Sequence, residues 1–384
     1  MPLNIPYWEK NHAEDAAAVF DVVQKLAEGP IRAHAVELDR TAEFPRALYR
    51  QLGAAGCLAP RLPVDLGGIG LPTYDYCRMI MMVAQESGTI GNAIVSAGIA
   101  ANYLYAYGDG KFDDVIRGYA DGSLVPAMAL TEPTSGSDLR SLRTSATPVG
   151  GGYRINGEKI WITKGGVCDR VMVLARLPGE SSDGLIGLLV DTASEGFSRG
   201  KNEDLMGMRG LATASLFFND VFVPESQVVG VPGGGFRQTV QALSFGRILV
   251  ASLAIGLARG ALRRAVDYTH ERKQFGKRIW DFQNTKFRVG EFAARLLAVE
   301  SLLARACSEY DLGRDPVAEA SSAKLLASDI AMEASTFAVQ AHGGIGFSRH
   351  LDVERFMRDS KITQIYEGTN EIQRSIIARA VVSD

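Results

Sequence analysis

The spacing of hydrophobic residues divides the chain into three zones, and the first, residues 1–125, has the period of α-helices. In its first segment four apolar residues recur at helical spacing, namely Val19, Phe20, Val23 and Leu26. The Gly29-Pro30 pair that follows predicts the end of that helix. FPRALYRQLGAAG and YDYCRMIMMVAQESG predict two more helices, and the uncharged stretch from Ser87 to Gly108 predicts a buried one. The first zone is therefore expected to be a helical domain.

The second zone, residues 126–235, changes to the short alternating runs that are typical of β-strands. GYRINGEKIWITKGG contains two such runs separated by Asn156-Gly157, a pair that favours a hairpin turn. RVMVLARL, GLIGLLVDT and ASLFFNDVFVP predict further strands, and VPGGGF marks the exit from the zone. This pattern predicts a compact β domain in the middle of the chain.

The third zone, residues 236–384, returns to helical spacing. One helix is built on Leu249, Leu253 and Leu257. Two longer apolar stripes follow it, the first at Val289, Phe292, Leu296, Val299, Leu303 and Ala306, the second at Ala323, Leu326, Ile330, Ala334 and Phe337. Long stripes with short connections predict an antiparallel helical bundle. Because strands and helices do not alternate, and GGIGL and GGIGF lack the GxGxxG spacing, a dinucleotide-binding fold of the Rossmann type is excluded.

Composition and charge narrow the class of protein without identifying a ligand. The 384 residues are 46% hydrophobic and 22% charged, with a formal net charge of -3. That balance gives no reason to expect nucleic acid or an anionic membrane as a partner. The stretch from Ser87 to Gly108 is interrupted by polar residues, so no membrane span is expected. The N-terminal 15 residues show no secretory signal pattern.

The cysteines and histidines give no sign of a metal centre. The four cysteines, at positions 57, 77, 168 and 307, are widely spaced, and the five histidines are scattered. That distribution argues against a disulfide framework or a zinc site and fits a reducing cytoplasm.

Two segments of the β zone could contact a flat polar ligand. MALTEPTSGSD, from Met128, combines small residues with the hydroxyls of Thr131, Ser135 and Ser137, although a serine-rich turn would look the same. KIWITKGG places Trp161 and Thr163 on one face of a strand, which suits a heteroaromatic ring. The alternative for Trp161 is a core residue of a hairpin.

The bundle zone contains three more candidate segments. Arg272, in ERKQFGKRI, could bind a phosphate or could belong to a solvated helix end. Gln340, in QAHGGIGF, could contact a ligand, or the glycines could simply cap the helix. In IYEGTNEIQR, Asn370 and Gln373 have the spacing of a capping box, so Glu367 lies just before a helix. Partial burial would raise the pKa of Glu367 toward that of a proton acceptor, but a solvated glutamate fits the same pattern.

These segments together resemble the acyl-CoA dehydrogenase family. ALTEPTSGSDLRS and QAHGGIGFSRHLDVERFMRD are similar to the two signatures of that family, and ERKQFGK and IYEGTNEIQR to two further motifs. All four stand in the family's order and spacing, and the likeness extends over nearly the whole chain. The resemblance implies a mainly α fold with a central β domain: an N-terminal helical domain, a middle β-barrel-like domain and a C-terminal four-helix bundle. The expected division is residues 1–125, 126–235 and 236–384.

The resemblance also implies the chemistry. FAD is the expected cofactor, and its implied contacts are Met128, Leu130, Thr131, Gly136, Ser137, Trp161, Ile162, Thr163, Arg272, Gln274, Phe275, Gln283, Gln340, Gly343, Gly344, Thr369 and Glu371. The implied substrate is an acyl-CoA, contacted by Ser137, Ser244, Arg247, Tyr366 and Gly368. Glu367 matches the catalytic base that removes the α proton while the flavin accepts the β hydride. An electron-transferring flavoprotein is the implied partner, and a homotetramer is the implied assembly. Fatty-acid β-oxidation is the implied metabolic context.

Some positions depart from the family pattern. A second branch of the family carries its base just before the arginine matched by Arg247, where this chain has Gly246, so Glu367 is the only candidate at either position. Ser244, His350 and Leu351-Asp352 also differ from the common residues. A carrier-protein thioester, a reaction run as an enoyl reductase, an oxidase and a non-catalytic flavin-binding protein remain alternatives. The sequence does not show the length of the acyl chain of the substrate. That length depends on how the residues Met79 to Val83 and Leu104 pack around the pocket.

Overall fold

The N-terminal helices lie where the hydrophobic spacing predicted them, with one correction at Pro30. The computed structural model describes residues 14–179 and 184–382, so most of the N-terminal segment that shows no secretory signal pattern lies outside the described residues. The helical path of the chain does not end at Gly29-Pro30, because α1 is followed by a π-helical turn, Ala27–Ile31, that leads directly into α2. The wider turn accommodates a proline that lacks an N–H donor. The helices of this region are α1 Glu14–Leu26, α2 Arg32–Thr41, α3 Arg46–Ala54, α4 Thr73–Ala84, α5 Gly88–Tyr107 and α6 Asp113–Ala120.

The middle of the chain forms one mixed sheet in the order β6-β7-β3-β2-β4-β5-β8, with β1 paired parallel to β4. Its strands are β1 Pro126–Ala129, β2 Ser145–Val149, β3 Gly152–Ile162, β4 Arg170–Arg176, β5 Leu185–Asp191, β6 Phe197–Asn202, β7 Ala214–Pro224 and β8 Val228–Val229. The predicted strands are thus present, and helices precede and follow the sheet as expected. The absence of βαβ alternation agrees with the exclusion of a Rossmann fold.

The predicted hairpin turn at Asn156-Gly157 is wrong, because both residues lie inside the continuous strand β3. The pair lies at a register shift against β7, and the hairpin turn lies instead between β2 and β3. Gly157 has φ 151°, and a Cβ there would come within 2.5 Å of Thr144 Oγ1. Glycine is therefore required by close packing within a bulge and not by a turn.

The C-terminal region is helical, as predicted. Helix α7 is the longest of the described helices and packs against α4, α9 and α10. The bounds are α7 Gly235–Glu271, α8 Gln283–Asp311, α9 Val317–His342, α10 Val353–Thr363 and α11 Asn370–Val381, with a small ribbon of β9 Lys273–Gln274 and β10 Lys277–Arg278 between α7 and α8. The stripe on α8 is buried, but Leu326 of the predicted α9 stripe is 47% exposed in the single chain.

The helices before and after the sheet share one hydrophobic core, whereas the sheet encloses its own. Among the described residues, α7 alone is long and apolar enough to cross a bilayer, but 78% of its most apolar window is buried inside the fold. Neighbouring helices therefore cover its apolar surface. This shared core fixes the first half of α7 and the loop before α11 against each other, and the candidate catalytic residues lie there.

Candidate active site

Glu367 lies in a strained turn between α10 and α11. Its φ is 52° and that of Gly368 is 85°, so both residues adopt the left-handed conformation. A glutamate in this region is uncommon, and such strain persists only where the surroundings enforce it. Two side chains do so here. Gln373 Nε2 donates to the carbonyl oxygens of Glu367 and Gly368 at 3.1 and 2.8 Å, and Lys324 Nζ donates to the Gly368 carbonyl at 2.8 Å.

The carboxylate of Glu367 is shielded from solvent and aims at α7. The residue as a whole is half-buried, but its Oε2 atom is buried and has no hydrogen-bond partner among the described residues. A Cβ added to Gly246 would lie 2.6 Å from this oxygen. Burial raises the pKa of Glu367, while the positive charges of Arg247 and Lys324 act in the opposite direction. The carboxylate is thus held as a base with a raised proton affinity.

Two more buried polar groups without a protein partner lie on α7 beside this carboxylate. Ser244 and Arg247 are three residues apart and share a face of the helix. Both side chains are buried, and Ser244 Oγ and Arg247 Nε make no hydrogen bond within the described chain. Burial also lowers the pKa of Arg247, with Glu367 opposing the shift. Since buried polar atoms are nearly always paired, the unpaired ones of Glu367, of its neighbour Arg247 and of Ser244, about one helical turn before Arg247, indicate a site for a polar ligand.

The capping residue predicted for α11 is wrong. Thr369, and not Asn370, is the N-cap, since Thr369 Oγ1 accepts a hydrogen bond from the N–H of Ile372 at 3.3 Å. The Asn370 side chain is buried and turns toward α9, where Ser328 and Lys324 bind its Oδ1. Gln373 likewise reaches back to the turn at Glu367 and not to a capping position. The start of α11 is therefore fixed by α9 as well as by its own cap.

The first signature and the strand of Trp161 form a second part of the site. The N–H of Ile160 donates to the Thr131 carbonyl at 3.0 Å, which places the two segments side by side. Lys159 Nζ, fully buried, donates to Glu132 Oε1 at 2.8 Å and to the Leu130 carbonyl at 2.9 Å. Burial lowers the pKa of Lys159 to about 8, against the attraction of Glu132. This ion pair stabilises the signature loop against β3.

The surface that these two segments present fits a flat cofactor. Trp161 is 57% exposed and has φ 59°, so its indole is held away from the core in an uncommon backbone conformation. Gly136 and Ser137 are exposed, and Thr163 is half-buried. Ile162 is only 2% exposed, so its side chain belongs to the sheet core and only its backbone is available for contact. An exposed aromatic platform beside small and hydroxyl-bearing residues suits the isoalloxazine ring of FAD.

The remaining predicted cofactor residues lie at the far end of the bundle. Arg272 caps the C-terminus of α7, about 39 Å from Gly246 at ~1.5 Å per residue. The residues of this group are all exposed: Arg272, Gln274, Phe275, Gln283, Gln340, Gly343 and Gly344. Phe275 is 92% exposed, and a surface cavity of about 490 Å³ opens beside Gln340 between α8 and α9. Within one chain this group is therefore far from Gly246, against which the Glu367 carboxylate packs.

The last predicted contacts flank the turn of Glu367. Tyr366 is half-buried, and its hydroxyl donates to Asn92 Oδ1 at 3.3 Å. Thr369 is half-buried, whereas Glu371 is exposed. In the second signature His350 is exposed, but Asp352 pairs with Arg264 at 2.6 Å and Arg355 at 3.1 Å, so ion pairing persists there.

Sequence reasoning missed the lysines that organise both parts of the site. Lys159 lies within the predicted strand KIWITKGG, and Lys324 lies in the apolar stripe of α9 directly after Ala323. A lysine within a buried stripe is rare unless it is paired, and that position was the one available signal. Among the described residues no group of three or more potential ligands could hold a metal ion, and all four cysteines are free and buried.

Comparison with known proteins assigns each part of the chain to one family. Residues 13–112 match the N-terminal domain of acyl-CoA dehydrogenase, residues 127–221 its middle domain and residues 233–382 its C-terminal domain. An acyl-CoA dehydrogenase of Bacillus subtilis (strain 168) is 37% identical, covering 93% of this chain and 95% of its own.

Two further relatives have more specific descriptions. The caffeyl-CoA reductase-Etf complex subunit CarC of Acetobacterium woodii is 36% identical, over 89% of this chain and 91% of its own. The butyryl-CoA dehydrogenase of Megasphaera elsdenii is 31% identical and superposes with a TM-score of 0.93, covering 98% of this chain and 100% of its own.

Proposed function

This chain belongs to the acyl-CoA dehydrogenase family, and from that premise we propose that it introduces an α,β double bond into an acyl-CoA thioester. The proposal makes the chain an FAD-dependent oxidoreductase that forms a trans-2-enoyl-CoA. One observation supports it above the others: the buried carboxylate of Glu367, whose Oε2 has no partner in the described part of the chain, lies against Gly246 and beside Arg247.

Glu367 is assigned the role of base. Its carboxylate takes the proton from the α carbon of the substrate, and the hydrogen on the β carbon leaves with its electron pair as the new C=C bond forms. When bound, FAD supplies the acceptor for that hydride. Desolvation by the acyl chain adds to the burial that already raises the pKa of Glu367, so proton affinity is highest when substrate is present.

The groups around Glu367 are assigned to the thioester. The backbone N–H of Glu367 is assigned the role of donor to the thioester carbonyl, and one such donor contributes about 3–4 kcal/mol to stabilising a developing enolate. Arg247 Nε and Ser244 Oγ, both buried and unpaired within the described chain, are assigned to polar atoms of the thioester arm. Binding of that arm would satisfy polar groups that otherwise destabilise the fold.

The cofactor is assigned to the surface of Trp161 and the first signature. Thr131, Ser137 and Thr163 offer hydroxyls, and Trp161 offers a ring face. The resemblance to the family implies that the exposed group around Arg272 holds the FAD of a neighbouring subunit, and its separation of about 39 Å from Gly246 along α7, at ~1.5 Å per residue, is compatible with that assignment. The proposal therefore includes a homo-oligomer, with a tetramer as its expected form.

An electron-transferring flavoprotein is the proposed electron partner. The Acetobacterium relative is described as a subunit of a reductase-Etf complex, which supports that partner and also a second candidate function, enoyl-CoA reduction. In that direction Glu367 would return a proton to the α carbon, so the same residues serve both reactions. The two directions are distinguished by which thioester changes the redox state of the flavin.

The test is an anaerobic titration of the purified yellow protein with a panel of acyl-CoAs that differ in length, branching and ring content. The proposal predicts that at least one saturated thioester bleaches the flavin absorbance in stoichiometric amount. If only enoyl-CoAs react, by reoxidising a reduced flavin, the enzyme is a reductase. If no thioester changes the flavin spectrum in either direction, the proposal fails.

A further inference from the structure

Lys324 is a buried cation directly beneath the turn of Glu367. It lies on α9 and is 0% exposed. Its Nζ donates to the carbonyl oxygen of Gly368 at 2.8 Å and to Asn370 Oδ1 at 3.0 Å. These two acceptors follow Glu367 by one and three residues. A lysine is almost never fully buried without a partner, and here both hydrogen bonds go to the segment that carries the carboxylate.

The surroundings of Lys324 leave its charge only partly compensated. From α9 itself comes Asp329, which accepts hydrogen bonds from Gln364 and Asn370, and which also lies 3.6 Å from Arg374. Its charge is thus shared among several donors. From α11 comes Glu371, which is exposed and therefore screened by solvent.

Helix α7 adds a cation, Arg247, whose positive charge opposes that of Lys324. The remaining anion is Glu367, whose Oε2 makes no hydrogen bond within the described chain and whose carboxylate is attracted first by Arg247 and then by Lys324.

We propose that Lys324 is a positioning residue, which holds the left-handed turn at Glu367 and Gly368 through the Gly368 carbonyl and keeps the Glu367 carboxylate ionised through its own charge. The inference rests on the proposed function only in treating Glu367 as the base. Its electrostatic part concerns the ionisation of Glu367 and holds whether or not a thioester is the substrate.

Physical chemistry explains why such a cation is useful. A carboxylate in an apolar pocket becomes protonated as its pKa rises, and a protonated carboxyl cannot accept a proton. An opposite charge a few ångströms away restores the ionised form. Burial also lowers the pKa of Lys324 to about 8, so its charge, and with it this support, decreases as the pH rises past that value.

The variant that tests this inference is Lys324→Met, which retains the length of the side chain and removes its charge and donors. Ser328→Ala is the matched control, because Ser328 binds Asn370 Oδ1 at 3.1 Å from the same helix but carries no charge. Lys324→Arg is the rescue variant, since it restores the charge. FAD content and thermal unfolding are recorded for each, to show that the folded holoenzyme is being compared.

Two measurements are made as a function of pH. The first is an isotope-edited infrared titration of the Glu367 carboxyl, assigned by its loss in Glu367→Gln. The second is the rate of anaerobic flavin reduction by the best thioester. In Lys324→Met the carboxyl is expected to titrate at higher pH than in the wild type. Below both midpoints the reduction rate is expected to fall in proportion to the smaller ionised fraction of Glu367, about tenfold for each unit by which its pKa rises.

The pH dependence of the rate deficit distinguishes two roles of Lys324: an effect of its charge on Glu367, and mechanical support of the turn through hydrogen bonds alone. The deficit of Lys324→Met relative to the wild type should shrink above pH ~8, where the wild-type lysine is itself neutral. Ser328→Ala should leave the carboxyl midpoint in place, and Lys324→Arg should restore it. A rate deficit that is the same at every pH, or a carboxyl midpoint unchanged in Lys324→Met, overturns the inference. The infrared titration needs no substrate, so it decides the inference even if no thioester reduces the flavin.

Discussion

Replacing Gly246 by alanine tests the geometry of the base directly. A Cβ at this position lies 2.6 Å from Glu367 Oε2 and 3.4 Å from Ile99 Cδ1, and only the second distance is an ordinary contact. To regain an ordinary contact of 3.4 Å, the carboxylate oxygen must retreat by about 0.8 Å. A misplacement of about 1 Å costs a catalytic group roughly 100-fold in rate. We therefore expect Gly246→Ala to lower the rate of flavin reduction by about 10- to 100-fold.

The stability of the variant should not fall with its rate. Alanine is a better helix former than glycine by about 1 kcal/mol, and the atom in its way is the end of a flexible side chain. The assay is stopped-flow reduction of the bound flavin by acyl-CoA under anaerobic conditions, with FAD content and melting temperature recorded beside it.

Gly290→Ala is the control for this experiment, because Gly290 lies exposed on α8 with nothing within 4 Å of a new Cβ. That variant should gain stability and keep its rate. If Gly246→Ala reduced its flavin as fast as the wild type, the proposed position of Glu367 against α7 would be wrong.

Three further substitutions have defined outcomes. Lys159→Met leaves the buried Glu132 carboxylate without its cation, so we expect thermal unfolding to show a loss of about 3 kcal/mol in the free energy of unfolding. The FAD-to-protein ratio measured by absorbance should also fall. Unchanged FAD retention would contradict the role given to this ion pair. Glu367→Gln should stabilise the protein at neutral pH by on the order of 1 kcal/mol. When the pKa of a carboxyl is higher in the folded than in the unfolded protein, its full contribution to the free energy of unfolding is present below the unfolded-state pKa. That contribution is lost as the pH rises through the folded-state pKa. The advantage of the variant in melting temperature should therefore disappear at low pH, and an advantage independent of pH would argue against a raised pKa. Gly157→Ala places a Cβ 2.7 Å from Thr144 Cα, a backbone atom that cannot turn aside, so thermal unfolding should show a loss of about 1–3 kcal/mol; a neutral result would mean that the bulge can open.

The order of helices, sheet and helices was readable from the sequence because it depends on hydrophobic period, which local residues carry. Local rules failed where a distant segment decides the outcome. Asn156-Gly157 has the composition of a turn, yet it lies inside β3 at a register shift against β7, with Thr144 packed against Gly157. Gly29-Pro30 has the composition of a helix end, yet a π-helical turn carries the chain through it. Neither the bulge nor the π-helical turn can be predicted from the local sequence alone.

The candidate site shows the same limit. The motif around Glu367 was legible, but its ionisation depends on groups far away in sequence: Gly246, Arg247 and Lys324 come from two other helices. The local pattern around Glu367 also fits a solvated glutamate before a helix, and only the resemblance of the ordered motifs to a known family marks it as the base. Asn370 was assigned to a helix cap for the same reason, because its contacts with α9 leave no trace in the local pattern.

The most direct test of the account compares the wild type with Glu367→Gln in one anaerobic turnover with the thioester that reduces the flavin best. Glutamine keeps the size of the side chain and removes its ability to accept a proton, so FAD binding and thioester affinity should persist while flavin reduction is lost. The expected result is a yellow variant that binds the thioester and keeps its flavin oxidised. A Glu367→Gln variant that bleaches at the wild-type rate would contradict the account, because another group would then remove the α proton.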